Sequence, residues 1–292
     1  MRKDIFRIAA AVLSFAAVSC TNDIIDNDVE VNQEGNLVPM ILTSGPSVRT
    51  SLNGSSVNWT ADDVIAVYDR NNAANRFTAS SVDGSNAVFE GMVAEGTTDF
   101  YAVYPAIEPT SVESYLFNIA TDQNSSETDD ALGGYEASDL LFAKAEAVSH
   151  SDGKVSLSFK HMMSKCVVNV LKGEKFEGEL PDDIDVHIYN TATTADLNLA
   201  NGSVEKYALG DRKTITMKKL SNEKFEAVVI PQNIERRTPL IEISMGGIAY
   251  LLEYSLSFKP GYQHTINLTV NTSPDQEKIE ISIDASPNDW NE

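Results

Sequence analysis

Cysteine, histidine and positive charge are all scarce in this chain. Two Cys in 292 residues are too few for a disulfide scaffold. The four His, at 150, 161, 187 and 264, are far apart and show no metal-ligand spacing. Lys and Arg number 22 against 43 Asp and Glu, a net charge of −21. That balance excludes a nucleic-acid binder, whose phosphate contacts need a basic surface, and excludes electrostatic docking on anionic lipid. Gly (16) and Pro (10) are too few for a collagenous or low-complexity chain. A phosphate-binding Gly loop, a Cys-x-x-Cys pair, a His-Glu-x-x-His helix and a Gly-x-Ser-x-Gly elbow are all missing. The expectation is therefore no enzyme, no metal and no cofactor. Asp62-Asp63, Asp129-Asp130 and Asp182-Asp183-x-Asp185 have neither EF-hand nor repeat-type calcium spacing and read as charged turns.

Long apolar runs are missing too, with one exception at the start. Arg2, Lys3 and Arg7 precede an apolar stretch from Ile8 to Val18. It is too short to span a bilayer and the right size for a signal peptide, residues 1–19. It ends Ala17-Val18-Ser19-Cys20, which resembles a bacterial lipobox, with Cys20 becoming the lipidated N-terminus; the other reading is an ordinary signal peptide cut near Ser19. Residues 20–36, rich in Asn, Asp and Glu, follow as an acidic tether. Removing 1–19 takes away three positive charges and one negative, leaving the mature chain still more acidic. In such a bacterial lipoprotein the Asn-x-Ser/Thr triplets at 53, 58, 124, 201, 267 and 271 are ordinary strand and turn residues.

What the rest contains is strands. Apolar and polar residues alternate with period two in short runs broken by Gly, Asn, Asp and Ser. Val64, Ala66 and Tyr68, Phe100, Ala102 and Tyr104, Val155, Leu157 and Phe159, and Phe225, Ala227 and Val229 each share a face. Long helical periodicity is absent; at most a helical turn is expected around His161–Lys165. The fold class is all-β, with antiparallel sheets packed face to face. Trp59 reads as a core aromatic, Asp62 or Asp63 as the cap of its turn. Cys166, in phase with Val168 and Val170, reads as a buried core thiol. Residues 118–135 read as a polar surface excursion. A turn-rich junction at 149–153 divides the chain into two groups of strands, 37–149 and 150–292.

The last group ends in two alternating runs. Ile266, Leu268 and Val270 share one face; Ile279, Ile281 and Ile283 share another, alternating with Glu280, Ser282 and Asp284. The turn-rich 271–276 between them suits a hairpin or a hinge. The second run either finishes its own sandwich or pairs with another molecule.

A family resemblance is carried by ordered motifs over about residues 37–290. They begin with Thr50-Ser51-Leu52 and with Trp59-Thr60-Ala61-Asp62-Asp63 leading into Val64–Tyr68. Phe89-Glu90-Gly91, Phe100–Pro105 and Asp139–Ala143 follow, then Phe159-Lys160-His161 and Val228–Gln232. Phe258–Ile266 and a terminal Trp290 complete the series. The chain resembles the fimbrillin family, the Mfa-like lipoproteins of Bacteroidetes that build type V pili. The resemblance implies two transthyretin-like β-sandwich domains in tandem, 37–149 and 150–292. It implies lipid anchoring in the outer membrane, surface exposure and assembly into a fimbrium. The implied partners are other subunits of the same pilus and a host or bacterial surface ligand. It further implies trimming after an Arg of the first domain, which opens a groove for another subunit's strand. Arg49, in Gly45-Pro46-Ser47-Val48-Arg49, is the candidate; Arg49-Thr50-Ser51-Leu52 can equally begin a strand. The alternative is a monomeric surface lipoprotein that binds glycan or another nutrient. Tyr101, Tyr104, Tyr115 and Tyr135 would be its aromatic platforms.

Overall fold

The period-two runs become strands throughout. The computed structural model describes residues 36–44, 59–69, 73–84, 86–107, 112–128, 131–148, 154–272 and 281–290. In chain order the elements are β1 (Leu37–Ser44), β2 (Val64–Tyr68), β3 (Ala74–Asp83), β4 (Asn86–Ala94), β5 (Phe100–Tyr104), β6 (Tyr115–Asn118), α1 (Gly134–Ser138), β7 (Leu141–Ala145), β8 (Lys154–Leu157), β9 (Lys160–His161), β10 (Ser164–Lys175), β11 (Asp185–Ala192), β12 (Thr194–Asn198), β13 (Ser203–Lys206), β14 (Arg212–Thr216), β15 (Lys218–Ser221), β16 (Lys224–Val229), β17 (Gln232–Ile234), β18 (Pro239–Met245), β19 (Ile248–Glu253), β20 (Leu256–Phe258), β21 (Tyr262–Thr272) and β22 (Ile281–Asp289).

An eight-stranded sheet takes the first part of the chain, in the order β8-β1-β4-β3-β2-β5-β7-β9. The later strands form a five-stranded sheet, β15-β16-β10-β21-β22, and a four-stranded one, β14-β11-β18-β19. Two small sheets, β13-β12-β6 and β17-β20, complete the set. Pairing is antiparallel except between β1 and β8 and between β10 and β21. The fold is thus an all-β sandwich, and Gly35 to Glu292 gather in one compact unit.

Two hydrophobic clusters hold it. One contains Trp59, Ile65, Val67, Phe77, Phe89, Phe100 and Phe159. The other contains Ala66, Tyr68 and Val103 from the same strands, with the buried residues of β10, β11, β16, β18 and β21. The β2-β5-β7 part of the eight-stranded sheet is therefore covered on both faces, which is why β2 reads as a continuous apolar run rather than a strict alternation.

Three expectations change. Residues 161–165 form no helical turn; the strands β9 and β10 meet there, and the chain passes from the first sheet to the later ones between His161 and Ser164. Residues 118–135 are not a plain surface excursion. Ile119 and Tyr135 are buried, and the fully buried Gln123 donates to Val228 O at 2.8 Å while accepting from Val228 N–H at 2.7 Å. One amide side chain thus takes the place of a strand neighbour at Val228, beyond the end of the β15 pairing. The only helix among the described residues, α1, lies here too. Third, β6 pairs with β12, so a strand from the first half joins the later group.

Candidate functional site

Strands that lie at a chain end or a sheet edge are the ones that can be exchanged, and two stand out. The first is β1. It lies between β4 and β8, with eight antiparallel pairs from Leu37↔Ala94 to Ser44↔Ala87 and four parallel pairs from Ile41↔Lys154 to Ser44↔Leu157. Met40, Leu42 and Ser44 point inward and are buried, and Ser44 Oγ accepts the Ala87 N–H at 2.8 Å. Without β1, two strands would lose a neighbour and the apolar cluster around Phe89 would open. Arg49 falls in 45–58, outside the described residues, as do Cys20 and Ile279.

The second is the C-terminal hairpin. Its two strands differ sharply. Ile266, Leu268 and Val270 are fully buried in β21, which is flanked by β10 on one side and β22 on the other. They cannot leave without dismantling the sheet. β22 is the edge strand. Ile281, Ile283 and Ala285 face inward opposite Val270, Leu268 and Ile266 and are half-buried, while Ser282, Asp284 and Ser286 face out. Pro287 lacks an N–H, which blunts the open edge.

Trp290 fixes the end of β22. Its backbone N–H donates to Gly261 O at 2.8 Å, and its ring, 6% exposed, stacks on His161 at 3.7 Å between centroids, 7° from parallel. Gly261, at φ +70°, takes the left-handed conformation that the Pro260-Gly261 turn requires. Behind the stack, His161 Nδ1 lies 2.6 Å from Asp139 Oδ1. Lys165 Nζ lies 5.9 Å from the Trp290 ring centroid and 3.0 Å from Glu226 Oε2; the two charged side chains are 1% and 3% exposed. The sequence reading noted Trp290 as the terminal aromatic but missed this constellation. A Lys and a Glu within otherwise apolar strand runs were the signal available.

The remaining candidates are structural. Trp59 is buried edge-to-face against Phe89, Tyr104 and Phe159 at 5.0–5.4 Å. Asp63, rather than Asp62, caps its turn, accepting the Thr60 N–H at 2.7 Å and the Tyr104 hydroxyl at 3.0 Å. Cys166 is fully buried in β10, and burial pushes its thiol up to about 12, so it stays a protonated core group. Tyr104 and Tyr135 are buried and Tyr101 and Tyr115 half-buried, so none is an open stacking platform.

His264 carries a pH prediction. Burial, and then the positive charge of Lys259, bring it down from 6.5 to about 4. Its Nε2 accepts the Lys259 N–H at 3.2 Å, which requires the neutral ring. Below pH 6.5 the unfolded chain takes up a proton that the native state refuses, so stability falls from about pH 6.5 down to about pH 4 and this contribution is flat below that. Urea midpoints of the parent and His264→Gln, compared at pH 7 and pH 5, check it. The parent should lose more stability than the variant; equal losses would refute the assignment.

Residues 49–290 match the profile of the fimbrillin-like family. Among solved structures, a candidate cell adhesion protein of Bacteroides uniformis has 22% identity and a TM-score of 0.61, the alignment covering 87% of this chain and 98% of that one. A candidate cell adhesion protein of Bacteroides ovatus has 16% identity and a TM-score of 0.64, with 87% and 98% covered. The tip fimbrial protein Mfa3 of Porphyromonas gingivalis, truncated at its C-terminus, has 12% identity and a TM-score of 0.47, with 87% and 100% covered. No curated protein sequence matches the chain.

Proposed function

Because this chain belongs to the fimbrillin-like family, we propose that it is a structural subunit of a cell-surface fimbria, assembling by strand exchange and contributing to adhesion. It reaches the outer membrane as a precursor lipidated on Cys20, an anchor that cleavage after Arg49 removes, and its partners are other subunits of the same fimbria. Cleavage after Arg49 frees the segment that carries β1, and the slot between β4 and β8 takes the C-terminal strand of another subunit.

The observation that carries this reading is the match between the slot and β22. β1 fills the slot with a large, a large and a small residue at every second position, Met40, Leu42 and Ser44. β22 offers the same order, Ile281, Ile283 and Ala285. A strand of that pattern restores both the backbone pairing and the apolar contacts. Two buried Ile contribute about 1.5–3 kcal/mol each, less the cost of ordering the tail.

Arg49→Ala tests the processing step. N-terminal sequencing of surface-assembled parent protein should begin at Thr50, and negative-stain microscopy should show filaments that the variant lacks. Assembled material that still begins at Cys20, or filaments of normal abundance from the variant, would overturn the cleavage.

A further inference from the structure

A cavity of about 680 Å³ opens between the β7–β9 edge of the first sheet, the β12–β13 turn and Pro260. That is the size of a small-molecule site rather than of a single ion. Its walls mix Phe142 and Met162, both buried, with Lys144, Lys160, Asn201 and Ser203. None of its lining residues is acidic, although Asp and Glu outnumber Lys and Arg by 43 to 22 in the chain.

Its polar groups are open for a ligand. Lys160 sits opposite Phe142 across the β7–β9 pairing, so the two side chains share a face and the Lys stem runs along the apolar wall. Lys144 is held by Glu146 at 3.0 Å and His161 by Asp139, which leaves Lys160 as the cation with no carboxylate partner among the described residues. Asn201 uses its Oδ1 to accept the Ser203 N–H at 2.9 Å, and its amide donors have no partner there. The hydroxyls of Ser158 and Ser203 likewise have none. Gly202 builds the turn that brings Asn201 and Ser203 over Phe142. Its φ is +70°, and a Cβ at this position would lie 2.5 Å from the Phe142 ring.

The geometry points to a binding site for an acidic sugar, a pyranose ring carrying a carboxylate, such as a uronic acid unit of a surface glycan. Lys160 pairs with the carboxylate in a charge-assisted contact. The two Ser hydroxyls and the Asn201 amide meet the ring hydroxyls, and the Lys160 stem and half-buried Val204 take the C–H face of the ring. The site lies wholly within one chain and does not depend on assembly.

The test titrates glucuronic acid, glucose and inorganic phosphate into the purified full chain by calorimetry. Glucuronic acid should bind saturably and at least about tenfold more tightly than glucose, the scale of one charge-assisted hydrogen bond. Phosphate at equal concentration should not displace it. Lys160→Ala should weaken glucuronic acid about tenfold and Lys160→Arg should restore most of it. Both should leave the thermal midpoint unchanged, because Lys160 is exposed. Absence of saturable binding, equal binding of glucose, displacement by phosphate, or full affinity in Lys160→Ala would each overturn the assignment. Filament formation in Lys160→Ala should be normal, which separates failure of this site from failure of the assembly reading.

Discussion

Lys165→Met is expected to lower the thermal midpoint by roughly 6–20 °C. Lys165 and Glu226 are among the most deeply buried charges in the protein, 3.0 Å apart on neighbouring strands β10 and β16. Breaking such a pair from one side strands the other charge and costs about 3–5 kcal/mol. In a domain of this size each kcal/mol moves the midpoint by about 2–4 °C. Lys224, 3.5 Å from the other oxygen of Glu226 but 42% exposed, recovers only a small part, because an exposed partner is screened. The double variant Lys165→Met/Glu226→Leu should regain most of the loss, since two apolar residues need no partners. Calorimetric midpoints of the single and double variants decide it. A double variant as unstable as the single one would mean that lost packing around Trp290, and not the stranded carboxylate, sets the cost.

That pair also shows where sequence reasoning stops. Strand phase was legible because period two is a local property: Phe225, Ala227 and Val229 declare their shared face within five residues. Cys166 follows the same local rule, since it shares its face with Val168 and Val170, whereas Trp59 lies among Asn58, Thr60 and Asp62 and has no such run around it. The C-terminal anchor was not, because Trp290 and His161 are 129 positions apart in the chain and nothing near either names the other. Gln123 failed similarly. In a stretch of Asp, Asn, Ser and Thr it looks solvated, and only the unpaired backbone of Val228 turns it into a buried bracket. The parallel neighbours β10 and β21 lie about a hundred residues apart, beyond the reach of any turn signal. For the candidate sites, the alternation of Ile281 and Ile283 was visible in sequence, whereas the difference between a central β21 and an edge β22 came only with the sheet order.

That difference supplies the second large effect. Thr269 and Ser282 sit opposite each other on the outward face of β21 and β22. Facing residues of an antiparallel pair bring their Cβ atoms to about 4.5–5.5 Å, near enough for a disulfide with small adjustment. Thr269→Cys/Ser282→Cys should therefore lock β22 to its own sheet when oxidised. Cys166 is buried and protonated and takes no part. If β22 is the strand given to a neighbour, the oxidised protein should form no filaments and the reduced protein should form them at the parent's level, read by negative-stain microscopy with and without dithiothreitol. The lock removes exchange without removing any apolar contact, so the oxidised monomer should be at least as stable as the parent. This is what a truncation after Val270 cannot offer, because it deletes the Trp290 anchor together with the strand and confounds folding with assembly. Filaments from fully oxidised protein would show that β22 belongs to its own subunit throughout, and that the slot left by β1 is filled by some other segment.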